Sequence, residues 1–187
     1  MTGLWLVVLL STQTTAASDI SGRWKLISDE SDSPWELIQE SLGRKVEVGS
    51  RTEGSWGMSS LAGSQSRDDL SRRLLRFAGA IDLVTIKIIG NRIQLEPHGL
   101  ARDSFTLDGR SRPHRLPDGG VLETSAERRG DEIVIERRSK VGAIFTESYS
   151  LSTDGSKLSA QFHLDSEILD KPLTIRCAYR RLNNGGR

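Results

Sequence analysis

The sequence predicts a mainly β chain: an antiparallel up-and-down barrel of about eight or nine strands, with two short helices inserted after the first strand. Three observations carry this reading. Gly22-Arg23-Trp24 opens the first strand-like run with a large aromatic two places after a glycine. From residue 81 onward apolar residues recur with a period of two, interrupted at steady intervals by turn residues. Between residues 33 and 79 the apolar period is that of a helix, and it occurs twice.

The chain has 187 residues, and its fixed charges sum to +1. That length fits one domain with short additions, and near-neutrality implies no whole-molecule attraction to nucleic acid. Apolar residues make up 36% and aromatics 5%. This is enough for one lean core with many strand faces left to solvent. Cys177 is alone, so no internal disulfide framework exists. Its place in an alternating run reads as a small buried hydrophobe.

The first stretch has an apolar run from Leu4 to Leu10 and then the small residues Thr15-Ala16-Ala17. That is the shape of a secretory signal peptide over residues 1–17, with cleavage after Ala17, although no Lys or Arg precedes the apolar run. The other reading is a buried N-terminal strand. The run is too short to span a bilayer as a helix. Export makes the expected location secreted or periplasmic. Residues 18–187 then form a single domain.

In that domain Trp24 is expected to face inward and to plug one end of the closed barrel, provided that its indole N–H finds a partner. Gly22 lets a second backbone come close. The next element is a helix near 33–43. Ser33 can cap it, Pro34 suits its first position, Glu36 completes a capping box and Gly43 stops it. Trp35, Ile38 and Leu42 share a face. A Gly- and Ser-rich loop follows, with Trp56 set between glycines. Trp56 either tucks the loop against the barrel or lines the mouth of a cavity.

A second helix near 67–79 places Leu70, Leu74, Phe77 and Ala78 on one side, and Arg72, Arg73 and Arg76 on the other. The arginines read as a solvated face, or as a basic patch able to make weak contact with an anionic membrane surface. Strands are then expected at 81–89, 92–96, 104–107, 121–128, 132–138, 143–151, 157–164 and 173–182, joined by turns such as Gly90-Asn91 and Asp154-Gly155. A meander this long closes into a barrel to remove its edges. Residues 183–187 form a tail.

A Gly-x-Trp strand, two helices and a meander resemble the calycin group, the lipocalins and fatty-acid-binding proteins. Residues 22–31 look like the opening of a fatty-acid-binding protein, in which a helix pair follows as a lid. Small exported bacterial proteins with a lipocalin-like barrel look closer still. They share the patterns Asp108-Gly109-Arg110, Gly130-Asp131-Glu132, Glu147-Ser148-Tyr149 and a closing Tyr179-Arg180-Arg181. The resemblance covers most of residues 20–182 and implies the fold and a ligand-holding barrel. The sequence departs from fatty-acid-binding proteins at the carboxylate grip. Their last strand carries Arg-x-Tyr, whereas here Arg176 and Tyr179 stand three apart, on opposite faces of a strand. The loop between the helices is also much longer.

No catalytic residues are assigned. His98, His114 and His163 are scattered; no metal-binding spacing, nucleophile elbow or phosphate loop occurs. The carboxylates read as solvated groups at strand ends and turns. The expected function is therefore a non-enzymatic, monomeric barrel without cofactor or metal, binding a small hydrophobic or amphipathic molecule. Phe105, Tyr149, Phe162 and Trp56 are the candidate lining residues. Two alternatives stand beside it: a module with a filled barrel that acts through its outer surface, and an enzyme on the same fold.

Overall fold

In the computed structural model, described here for residues 19–43, 61–62, 66–116 and 119–182, a ten-stranded antiparallel sheet winds round one apolar interior. The chain runs β1 (Gly22–Leu26), α1 (Pro34–Ser41), α2 (Arg67–Ala80), β2 (Leu83–Ile89), β3 (Arg92–Pro97), β4 (Asp103–Thr106), β5 (Arg112–Arg115), β6 (Val121–Arg129), β7 (Glu132–Arg138), β8 (Ile144–Leu151), β9 (Lys157–Asp165) and β10 (Leu173–Arg181). The strand order is β4-β3-β2-β1-β10-β9-β8-β7-β6-β5, so β1 and β10 meet in the middle of the sheet. The two free ends are β4 and β5. Winding brings them together: Leu107, after β4, bridges to Ala126 of β6, and the Phe105 ring lies 5.6 Å from that of His114 on β5.

Period-two alternation decides what faces inward. Trp24, Ile86, Ile93, Ile133, Ile135, Phe145, Leu158, Ile175 and Tyr179 are all buried members of one core. Trp24 has no exposed surface, and its indole N–H donates to the Ile20 carbonyl at 2.9 Å. The Arg181 guanidinium lies 4.5 Å from the Trp24 ring centroid and donates to the Ser21 carbonyl at 2.7 Å. This end of the barrel is thus closed by an aromatic ring and a cation on it.

The helices cover the opposite end. Ile38 and Leu42 from the α1 region, and Leu70, Leu74 and Phe77 from α2, join the same core. Ser66 caps α2, its hydroxyl accepting from the Asp69 amide at 3.2 Å. Gly43, at φ 62°, ends the α1 region in the left-handed conformation that glycine adopts without strain. There Arg67 donates to the Leu42 carbonyl at 2.7 Å and to Asp170 at 2.5 Å, tying both helices to the β9–β10 turn.

Several expectations are corrected. The strand number is ten, not eight or nine, because β5 was not anticipated. Its Arg-Pro-His-Arg carries no apolar alternation, and it holds proline because it is an edge strand with only β6 beside it. The Ser33 side chain makes no cap bond to α1, so the capping box does not form. Trp35 is 38% exposed while Ile38 and Leu42 are fully buried, because it sits in the first turn of α1, off the face that Ile38 presents to the core. Arg73 is buried, with Nε 3.0 Å from the Asp69 carboxylate, rather than lying on a solvated face with Arg72 and Arg76. Arg72 also reaches Asp69, at 4.0 Å, so one carboxylate offsets part of that basic face. The expected signal peptide, residues 1–17, and Trp56 lie outside the described residues.

Candidate functional site

Inside the barrel, an aromatic wall surrounds a string of polar groups. Phe105 comes from β4, Phe145 and Tyr149 from β8, and Phe162 from β9, each at an inward position of its strand. Phe77 of α2 enters from above. Its ring meets Phe162 edge-on at 5.0 Å and 78°, and Phe145 at 6.1 Å and 86°. Tyr149 meets Phe162 at 6.1 Å and 83°. Edge-to-face geometry suits the ring quadrupoles and adds to the burial itself.

The polar string begins at Tyr149. Its hydroxyl donates to Glu147 Oε2 at 2.6 Å, and the other oxygen of Glu147 accepts from Arg137. Arg137 Nη2 lies 3.8 Å from the Asp103 carboxylate, whose other oxygen is 3.6 Å from His114 Nε2. Glu147 and Arg137 are fully buried. The guanidinium also stacks between two rings, 4.8 Å from the centroid of Phe105 and 5.5 Å from that of Phe145. Buried charges need such pairing, because an isolated ion in this interior would be strongly destabilising.

Burial pushes the Glu147 carboxyl above its ordinary value, against the pull of Arg137 and of the Tyr149 hydroxyl. Burial and the neighbouring Glu147 push the Tyr149 phenol well up. On β10, the buried Tyr179 hydroxyl faces the Cys177 thiol. Burial raises it too, and the Cys177 thiol beside it is pushed up to about 12, mainly by burial. The site therefore holds one cation, Arg137, two carboxylates facing it, Glu147 and Asp103, and two phenols among aromatic rings.

Three of the four candidate lining residues come together here. Phe105 is 6% exposed, Tyr149 1% and Phe162 3%. Such low values mean that, among the described residues, these inward side chains pack against one another and against Phe77. Arg176 is exposed and Tyr179 buried, so they lie on opposite faces of β10. His163 hydrogen-bonds to Thr174 at 2.8 Å, half-buried and opposite in parity to the inward Phe162 and Leu164.

Sequence reasoning missed Arg137, Glu147 and Asp103. The reading of the carboxylates as solvated groups is corrected at Glu147, which lies mid-strand with no exposed surface. The signal was present: Glu147 shares parity with Phe145 and Tyr149, and Arg137 with Ile133 and Ile135.

No family model and no curated protein matches the sequence. Solved structures do match the fold. Apo lipid binding protein 8 of Caenorhabditis elegans superposes with a TM-score of 0.53 at 12% identity, covering 87% of this chain and 94% of that one. The Schistosoma mansoni fatty-acid-binding protein in complex with arachidonic acid gives 0.52 at 14% identity, over 90% of this chain and 99% of that one. Echinococcus granulosus fatty-acid-binding protein 1 gives 0.50 at 15% identity, over 87% and 97%. The chain thus has the calycin-like barrel of these proteins, with the helix pair placed after the first strand. At these identities the likeness establishes the fold.

Proposed function

We propose that this protein is an exported barrel that binds a small hydrophobic or amphipathic ligand. The observation that carries the reading is the interior itself: aromatic walls from three strands enclosing the buried Arg137–Glu147–Tyr149 string, under a helix whose Phe77 rests on those walls. Apolar walls with a few convergent polar groups are the usual make-up of a small-molecule site. The structures that share the fold include one in complex with arachidonic acid and others named for lipid or fatty-acid binding. A ligand reaching these walls from the helix end would displace Phe77, which packs on Phe145 and Phe162 there. No catalytic role is assigned to the polar string, whose groups all serve to pair one another.

Native mass spectrometry of the purified protein, followed by titration with a fluorescent fatty acid, tests the reading. Co-purified lipid or saturable binding supports it. The near-complete burial of the inward side chains favours a second reading, a filled barrel acting through its outer surface. That reading expects neither result. Export rests on the run from Leu4 to Ala17. N-terminal sequencing of protein recovered from the exported fraction should then begin at Ser18.

A further inference from the structure

The wall of the barrel is interrupted between the two ends of the sheet. β4 and β5 are the terminal strands and do not pair with one another. Below them, among the described residues, the backbone closes the ring through the Leu107–Ala126 bridge and the Gly109 amide, which donates to the Ala126 carbonyl at 2.9 Å. The opening holds a cavity of about 200 Å³ whose lining includes Arg92, Arg110, Arg112, Phe105, His114 and Thr124. The arginines are exposed at its mouth, while Phe105 and Thr124 are buried at its back.

The charges there are unevenly matched. Arg112 forks onto Asp108 at 2.7 and 2.5 Å, and this holds the Asp108 carboxyl well below the usual carboxylate range. Arg110 adds its own field to the same carboxylate. The guanidinium of Arg92 donates to a neutral group, Ser104 Oγ, at 3.2 Å. The nearby carboxylates of β6 are engaged elsewhere, Glu123 with Ser111 and Glu127 with Arg129. Arg110 and Arg112 therefore share the Asp108 carboxylate, while Arg92 meets a neutral hydroxyl; behind them Asp103 lies 3.6 Å from His114 and 3.8 Å from Arg137. At the back, Thr124 is 6% exposed and its Oγ1 has no hydrogen-bond partner among the described residues. A buried hydroxyl in a native structure is normally paired, so this one points to a missing partner. An oxyanion in the cavity would accept from it and from the guanidiniums together.

We propose that the β4–β5 opening is a binding site for an oxyanion, a carboxylate or a phosphate, held by Arg92 and Arg110 at the mouth and by the Thr124 hydroxyl within. The oxyanion is the head of the amphipathic ligand, whose tail passes Phe105 into the aromatic interior. This second statement rests on the ligand-binding reading above. It specifies that reading: the ligand is an acid, and its head sits in the wall of the barrel.

The test uses the full chain, an Arg92→Gln/Arg110→Gln double variant and Thr124→Val. Each is titrated by calorimetry and by amide chemical shifts with dodecanoate, dodecyl phosphate, dodecanol and inorganic phosphate. The expected result is that both acids bind about tenfold or more weakly to the double variant, with dodecanol unchanged and with shifts at Arg110 and Thr124. Shifts at those amides from inorganic phosphate, without binding of either acid, would support the anion site and overturn the amphiphile as its source. Equal affinity of the acids for parent and variant, with dodecanol bound, would overturn the site while leaving the barrel a hydrophobic container. Binding of none of the four would overturn both.

Discussion

The hydroxyl of Tyr149 donates to Glu147 across 2.6 Å, from two positions further along the same inward face of β8, and both residues are buried. Glu147 in turn holds Arg137 of the neighbouring strand. The Arg137–Glu147 pair is thus set by strand parity and by one pair of strands, and Asp103 of β4 joins Arg137 from across the barrel.

Removing Arg137 should destabilise the fold by about 3–5 kcal/mol, because the buried Glu147 loses its cation. Arg137→Met is the informative variant. Burial already raises Glu147 above 4.5. A carboxyl whose pKa rises on folding takes up a proton as the chain folds. Its stabilising contribution is full below the unfolded value and is lost as pH climbs through the folded one. Without Arg137 the folded value moves further up. Arg137→Met should therefore lose least stability in acid, below the ordinary carboxylate range, and progressively more as pH rises above it. Urea unfolding at a series of pH values measures this; a loss independent of pH would show that Glu147 does not carry it.

How far the sequence exposes this site follows from what its patterns encode. Alternation is visible without a fold, so the inward parity of Tyr149 and Phe162 and the opposite parity of Arg176 and Tyr179 could be read directly. The helix positions were legible for the same reason, since Ile38, Leu42, Leu70, Leu74 and Phe77 repeat on one side. Partnership is different. Arg137 reaches Asp103 over 34 positions of sequence, and only the winding of the sheet brings β4 against β7. The same winding creates the opening between β4 and β5, and the short Pro-containing β5 shows no strand pattern that would announce it. A charged residue in a strand is normally solvated. Glu147 is an exception only because a cation arrives from the next strand.

Trp24 makes a second test. Trp24→Ala should cost about 3–5 kcal/mol in thermal or denaturant unfolding, as expected for a fully buried large aromatic. Arg181→Met should cost less, on the order of 1–2 kcal/mol, since it removes the cation over the ring but leaves the indole bonded to Ile20. A Trp24→Ala protein with the parent's midpoint would show that this end of the barrel closes without it.

Cys177 should be chemically silent in the folded protein. Only the thiolate reacts, and burial pushes this thiol up to about 12. Labelling with an aromatic disulfide at pH 8 should be negligible in buffer and reach one thiol per chain in denaturant. Rapid labelling of the native protein would show that the region between β9 and β10 opens to solvent.

Phe77 decides between a container and a filled barrel. It is 2% exposed and touches Phe145 and Phe162, so Phe77→Ala should cost about 3–5 kcal/mol. Phe77→Leu, which keeps most of the apolar volume, should cost less and guards against simple unfolding. An apolar void of this kind stays dry and accepts apolar molecules. If Phe77 is what a ligand displaces, both variants should bind a fluorescent fatty acid faster than the parent, and Phe77→Ala should bind it more tightly because less packing is given up on entry. Stopped-flow mixing gives the rates, and an unfolding curve in the same buffer confirms that the variants are folded. Variants that lose stability as expected, yet bind no more probe than the parent's background, would mark the interior as permanent core and move the function of this protein to its outer surface.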